Sequence, residues 1–227
     1  LEAKFTELEI GAARYKRTGS AFGQEDIEKV RKADAVYLGA IGLPDVRLPD
    51  GREVQSGYIY RQDLDLYANI RPVKLYKGIE SPLKKANEKG IDYVIFRENT
   101  EGLYTFGKGG CRIGNEAVVN PLISSRKGTE RIVRAAFQMA RRRKGAPEDG
   151  VKRVTCTTKS NVVEAYAFFE EVFREVAKEY PDIQIEHFYT DALTVLMVQK
   201  PWHFDVIVTE NMFGDILTDE ASVLVGS

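Results

Sequence analysis

Apolar positions in this chain fall into short continuous runs and helically spaced faces, and the two alternate most regularly toward the carboxyl end. DYVIFRENT at 92–100 is an apolar run that breaks into polar residues, which predicts a central strand whose end opens on a site. Ile132, Ala135, Ala136 and Met139 share a helical face, predicting a helix over 129–143, and GAPEDG after it is a turn-rich break. From 151 the order is strand VKRVTCTTK, helix NVVEAYAFFEEVFREVAKEY, strand IQIEHFYTD, helix ALTVLMVQK, strand FDVIVTEN and helix FGDILTDEASVL. Strands and helices alternating at these lengths predict an α/β fold with much parallel pairing.

The earlier part of the chain is less regular. QEDIEKVRKA at 24–33 predicts a short amphipathic helix, and AVYLGAIG at 35–42 a buried strand running into a turn, with GLPDVRLPDG as a loop. Residues 56–67 are expected to be helical, with Arg61 on that helix. Beyond Asn69 and Pro72 the chain should become the strand RPVKLY, because the residue before proline disfavours helix, and this puts Arg71 at a helix-to-strand junction. CRIGNEAVVNPLIS at 111–124 mixes β-branched residues, Gly and Pro in the manner of a protruding ribbon. The opening LEAKFTELEIG reads as a helix ending and a strand beginning.

Composition narrows the partners. The 227 residues balance 33 Lys and Arg against 34 Asp and Glu, so no global field favours nucleic acid or an anionic membrane. The one dense basic run, ARRRK at 140–144, closes a predicted helix, where cations oppose the negative end of the helix dipole. No apolar run approaches the roughly 18–20 residues of a membrane span. Cys111 and Cys156 stand far apart with no CxxC or Cys/His cluster, which indicates neither a disulfide framework nor a zinc site and fits a reducing cytoplasm. His187 and His203 lack a metal-spaced partner, and Trp202 suits packing at a strand entrance.

Candidate chemistry gathers where strands end. Asp215 and Asp219 are four apart in FGDILTDEA, so on a helix both carboxylates leave one face about a turn apart and can ligate a hard cation such as Mg²⁺ or Mn²⁺. The same spacing is common on solvated faces. Asp191 also follows a predicted strand. Arg61, Arg71 and Arg97 each suit a surface ion pair or, as a cluster, a bidentate clamp for carboxylates. Tyr104 and Lys159 are packing or surface residues unless cationic neighbours bring them toward proton transfer, since positive charge favours neutral lysine and anionic tyrosine.

In order, YRQDLDLYANIRP, FRENTEGLY, TTKSN, YTDAL and ENMFGDILTD resemble the metal-dependent decarboxylating 2-hydroxyacid dehydrogenases, the family of isocitrate, 3-isopropylmalate, homoisocitrate and tartrate dehydrogenases. The resemblance runs from about Ala35 to the end of the chain. It implies a two-domain fold with a mixed, largely parallel sheet: an incomplete cofactor-side domain over 1–70 and a substrate, metal and dimerisation domain over 71–227. By the same resemblance Arg61, Arg71 and Arg97 clamp a polycarboxylate substrate, and Asp191, Asp215 and Asp219 hold Mg²⁺ or Mn²⁺. Lys159 relays the hydroxyl proton, and Tyr104 protonates the enol left by decarboxylation. Asn161 either approaches the nicotinamide of NAD or NADP or caps the helix that follows.

Such an enzyme works as a homodimer, with the lysine and the third aspartate reaching the site from the neighbouring subunit. The alternative is a non-catalytic regulatory or assembly subunit of the same fold. The family's first strand with its glycine-rich turn and its adenosine loop would lie outside this chain, so the chain as given is expected to bind NAD or NADP poorly. The segment that separates NAD from NADP would lie beyond Ser227. Gln55 and Gly57 stand where the family reads the substrate's variable group, and they match neither the isocitrate nor the isopropylmalate marker.

Overall fold

The computed structural model describes residues 3–49, 51–54, 61–106 and 109–226. The chain divides into two compact units, Leu1–Leu66 and Tyr67–Ser227.

In the first unit, helix α1 (Ala12–Thr18) and helix α2 (Gln24–Lys32) are joined by an Arg14–Asp26 ion pair of 2.5 Å. Asp26 also accepts from the Gly23 amide at 2.7 Å, which closes the first turn of α2. Gly11 has φ +97°, and a Cβ there would meet the Ile41 carbonyl oxygen at 2.5 Å, so only glycine lets the backbone pass. The opening segment is irregular and is followed by α1, not by a strand. AVYLGAIG is likewise not a strand: Val36, Tyr37 and Leu38 are exposed, and among the described residues the segment has no strand partner. An apolar run becomes a buried strand only when a neighbour takes its backbone hydrogen bonds. Of the helix expected over 56–67, residues 56–60 lie outside the described residues, 61–63 are helical, and the chain turns at Asp65, with φ 48°.

The second unit is a five-stranded sheet between two helical layers. Its strands are β1 (Ala68–Lys74), β2 (Asp92–Glu98), β5 (Arg153–Thr158), β6 (Gln184–Tyr189) and β7 (Val206–Thr209), in the order β1-β2-β7-β5-β6. Only β1 runs antiparallel to its neighbour. Pro72 is tolerated because β1 is an edge strand. Arg71 therefore sits mid-strand, opposite Ile95, and not at a helix-to-strand junction.

Period-two alternation sends Val94, Phe96, Val154, Cys156, Val206 and Val208 to one face. There they meet α4 (Arg126–Arg142) and α5 (Glu164–Ala177). Val73, Tyr93, Ile95 and Ile207 point the other way, onto the short α3 (Lys84–Lys89), α6 (Thr190–Gln199) and α7 (Asn211–Leu224). The ribbon expected near 111–124 is a separate antiparallel pair, β3 (Cys111–Ile113) and β4 (Ala117–Val119), exposed along both strands. Among the described residues no helix is long and apolar enough to cross a membrane.

Candidate active site

Parallel strands place their carboxyl ends along one edge, and there loops and helix starts bring polar side chains together. Arg97 is the next-to-last residue of β2, and Asn211 and Asp215 are on the first turns of α7, immediately after β7. Arg97 is 2% exposed, which requires every side of its guanidinium to be matched. Its Nε and Nη2 donate to Asn211 Oδ1 at 2.9 and 2.7 Å, and its Nη1 pairs with Asp215 Oδ1. Tyr104 lies on a 3₁₀ turn at Leu103–Phe106 and donates its hydroxyl to the other Asp215 oxygen at 3.3 Å. The Arg97 guanidinium stands 5.9 Å from the centre of the Tyr104 ring. Arginine, tyrosine and aspartate thus meet in one place, with the Asp215 side chain 48% exposed.

The loop that carries Tyr104 is held from two sides. Asn211 Nδ2 donates to the Glu101 carbonyl at 2.8 Å, and the Glu101 carboxylate accepts from the Ser125 amide at 2.8 Å and from the Ser125 hydroxyl, at the start of α4. Beneath it lie two buried carboxyls, Glu98 and Glu210. Glu210 caps α7 by accepting from the Phe213 amide at 2.6 Å, while its Oε2 has no partner among the described residues. Burial pushes the Glu210 carboxyl above its ordinary value near 4.5, and Glu98 is raised for the same reason.

This has a sign. The unfolded chain releases the Glu210 proton near its ordinary value and the folded chain only at higher pH, so ionisation of this group costs stability as pH rises through that interval. Glu210→Gln has no such proton to lose and should gain stability relative to the parent as pH rises from about 4 to 7. Urea midpoints of both proteins at the two pH values check this; a difference that does not change with pH would refute it.

Lys159, just past β5, donates to Asp191 at 2.5 Å, and that ammonium holds the Asp191 carboxyl below the usual range. Asp191 is in the first turn of α6 and is exposed. Asn161 is exposed in the turn after Lys159, and α5 begins only after Val163, which removes the helix-capping reading. Asp219 lies one turn beyond Asp215 and is exposed. Arg71 is exposed, with its Nε donating to Asn69 Oδ1 at 2.8 Å, and Asn69 pairs in register with Arg97 across β1 and β2. Arg61 belongs to the first unit.

The donors fit a hard divalent cation chemically: Asp215 and Asp219 offer carboxylate oxygens at helical spacing, beside Arg97 and Tyr104. Among the described residues, however, no three His, Cys, Asp or Glu side chains of one chain come together as a metal cluster. Three contributors were not expected from the sequence: Asn211, Glu210 and Asn69. Their one legible signal is a polar residue directly after, or within, an apolar strand.

This edge gathers a guanidinium, a phenol and carboxylates at the carboxyl ends of the parallel strands of an α/β protein. The chain belongs to the isocitrate/isopropylmalate dehydrogenase family, whose sequence profile matches residues 1–227. It is 45% identical to the 3-isopropylmalate dehydrogenase of Priestia megaterium, over 99% of this chain and 60% of that protein. With the 3-isopropylmalate dehydrogenase of Corynebacterium efficiens it shares 42% identity over 97% of this chain and 63% of that protein. The isocitrate dehydrogenase structure from Methylococcus capsulatus superposes with a TM-score of 0.81 at 34% identity, covering 96% of this chain and 61% of that one. The TT0538 protein of Thermus thermophilus gives 0.82 at 37% identity, over 96% and 41%. The chain therefore spans about 60% of the length of the curated relatives it matches.

Proposed function

We propose that this protein oxidatively decarboxylates a 2-hydroxy polycarboxylic acid of the 3-isopropylmalate or isocitrate type, with hydride transfer to NAD or NADP. The observation that carries this reading is the meeting of Arg97, Tyr104 and Asp215 at the carboxyl edge of the sheet. Relatives named 3-isopropylmalate dehydrogenase support it. The retained arginines, tyrosine, lysine and aspartates weigh against a non-catalytic subunit.

In this reading Arg97, with Arg71 and Arg61, binds the carboxylates that stay on the substrate. Asp215, Asp219 and Asp191 would hold Mg²⁺ or Mn²⁺, which when bound supplies Lewis-acid polarisation of the hydroxyl and ketone oxygens. Lys159 relays the hydroxyl proton, and Tyr104 returns a proton to carbon once CO₂ has left. Asn161 offers its exposed carboxamide to the nicotinamide side.

Within one chain Lys159 and Asp191 bond to each other and not to Asp215. Completing a three-aspartate site calls for a second copy. Val195 and Val198 on α6 and Ile216 and Val223 on α7 are large aliphatic side chains left exposed on adjacent helices, which supports a homodimer formed there. Sedimentation of the full-length protein should give a dimer.

Turnover with a panel of isopropylmalate, isocitrate, homoisocitrate, tartrate and malate, each with NAD⁺ and NADP⁺ and with Mg²⁺ or Mn²⁺, tests the activity. No turnover on any member would overturn it. Tyr104→Phe should slow decarboxylation of the β-keto acid by about a hundredfold, the low end of general-acid effects, and hydride transfer less. Lys159→Met should do the reverse. Equal losses in both partial reactions would remove these assignments.

A further inference from the structure

We propose that Asn211 is a positioning residue that sets two working groups at once: Oδ1 orients the Arg97 guanidinium, and Nδ2 orients the loop that carries Tyr104. The proposal deepens the dehydrogenase reading and, in its kinetic part, rests on it.

Asn211 is 1% exposed and sits at the first position of α7, where the N-cap role is already filled by Glu210. Its carboxamide is therefore free to serve other partners. The oxygen accepts from Arg97 Nε and Nη2, and the nitrogen donates to the Glu101 carbonyl. Arginine only donates and a carbonyl only accepts, so these partners permit one orientation of the amide. With Nε and one edge of Nη2 engaged, the guanidinium plane is set and Nη1 is directed at Asp215.

Close packing leaves little slack on either side. A Cβ on Gly214 would meet Arg97 Cβ and Cγ at 2.6 Å, so the first turn of α7 lies directly on the arginine stem. At Gly102, with φ +87°, a Cβ would come within 3.1 Å of Asn211 Cβ and 3.0 Å of Glu210 Oε2. The loop is thus pressed against α7 within three residues of Tyr104, and its other side is bound to Ser125 through Glu101. No other side-chain type of this size carries its acceptor and its donor on two separate atoms, one for a guanidinium and one for a carbonyl. Aspartate keeps the first function and turns the second into a repulsion between oxygens; leucine loses both.

The experiment compares Asn211→Asp and Asn211→Leu with the parent in the full-length protein. Asn211→Asp should leave KM for the hydroxyacid within about threefold and lower kcat about tenfold, because Arg97 stays held while the Tyr104 loop shifts. Asn211→Leu should raise KM at least tenfold as well. Stability losses with kcat and KM both within twofold of the parent would reduce Asn211 to a structural residue and overturn the proposal.

A second readout needs neither substrate nor cofactor. In protein labelled with ¹⁵N-arginine, the Arg97 Nε–H should exchange slowly in the parent and in Asn211→Asp, and rapidly in Asn211→Leu. Equal protection in all three overturns the proposal. If the parent turned over no hydroxyacid, the dehydrogenase reading would fall, and the exchange measurement alone would decide whether Asn211 holds Arg97. If Asn211→Leu did not fold, the kcat-against-KM split of Asn211→Asp would decide.

Discussion

Asp215→Asn in the full-length protein is expected to lower divalent-cation-dependent turnover at least about a hundredfold, since even outer partners of metal-binding side chains cost ten- to a hundredfold when changed. The change is nearly isosteric and keeps one oxygen that can accept from Arg97 or Tyr104. It removes the negative charge, which serves two positive neighbours in this reading: the buried Arg97 guanidinium and a divalent cation. Loss of the charge leaves Arg97 buried beside a neutral group, but half the Asp215 side chain faces solvent, so the penalty to folding is well below that of breaking a fully buried pair. The variant should remain folded by circular dichroism and lose affinity for Mn²⁺ in calorimetric titration. Turnover that matched the parent, or that survived exhaustive chelation in both proteins, would remove Asp215 from the metal site.

The sheet was legible where burial on both faces forces long apolar runs. DYVIFRE, RVTCTT and VIVT read as strands because the α4–α5 layer and the α6–α7 layer bury every position on them after Asp92. AVYLGAIG carries the same signal and is not a strand, since pairing depends on a neighbour that an apolar run cannot specify by itself. Boundaries moved by a turn at most: α4 begins at Arg126 because Ser125 caps it by accepting from the Gly128 amide at 3.0 Å, and α6 begins at Thr190, which brings Asp191 into the helix.

Arg97, Tyr104 and Asp215 were legible as candidates, and they do meet. Asn211, Glu210 and Asn69 were not, for a physical reason: a side chain that joins other polar side chains has no period of its own and gains its role only when two strand ends are brought together. Arg71 shows the complementary case. Its residue type suggested a carboxylate clamp, and the structure places it exposed, bonded to Asn69 two residues away on the strand adjoining Arg97.

Phe137→Ala should destabilise the second unit by about 3–5 kcal/mol, the usual cost of removing a fully buried aromatic ring. Phe137 has no exposed surface and lies on α4 between two aromatic neighbours, 5.8 Å from the Phe173 ring centre and 4.6 Å from that of Tyr180, nearly parallel to both. The same helix also presents ion pairs to its neighbours, Arg126 to Glu175, Arg134 to Glu179 and Arg141 to Asp182. Those pairs are open to solvent, where water screens the attraction and ordering long side chains offsets much of the rest, so Arg134→Ala should change stability little. The comparison decides what fastens α4 to the sheet. It also bears on the site, because the start of α4 holds Glu101, whose carbonyl is bound by Asn211. Urea unfolding of both variants, followed by far-ultraviolet circular dichroism, measures the difference directly. A loss below about 1 kcal/mol for Phe137→Ala, or a larger loss for Arg134→Ala, would show that charge pairing and not aromatic packing anchors the helix on which the Tyr104 loop rests.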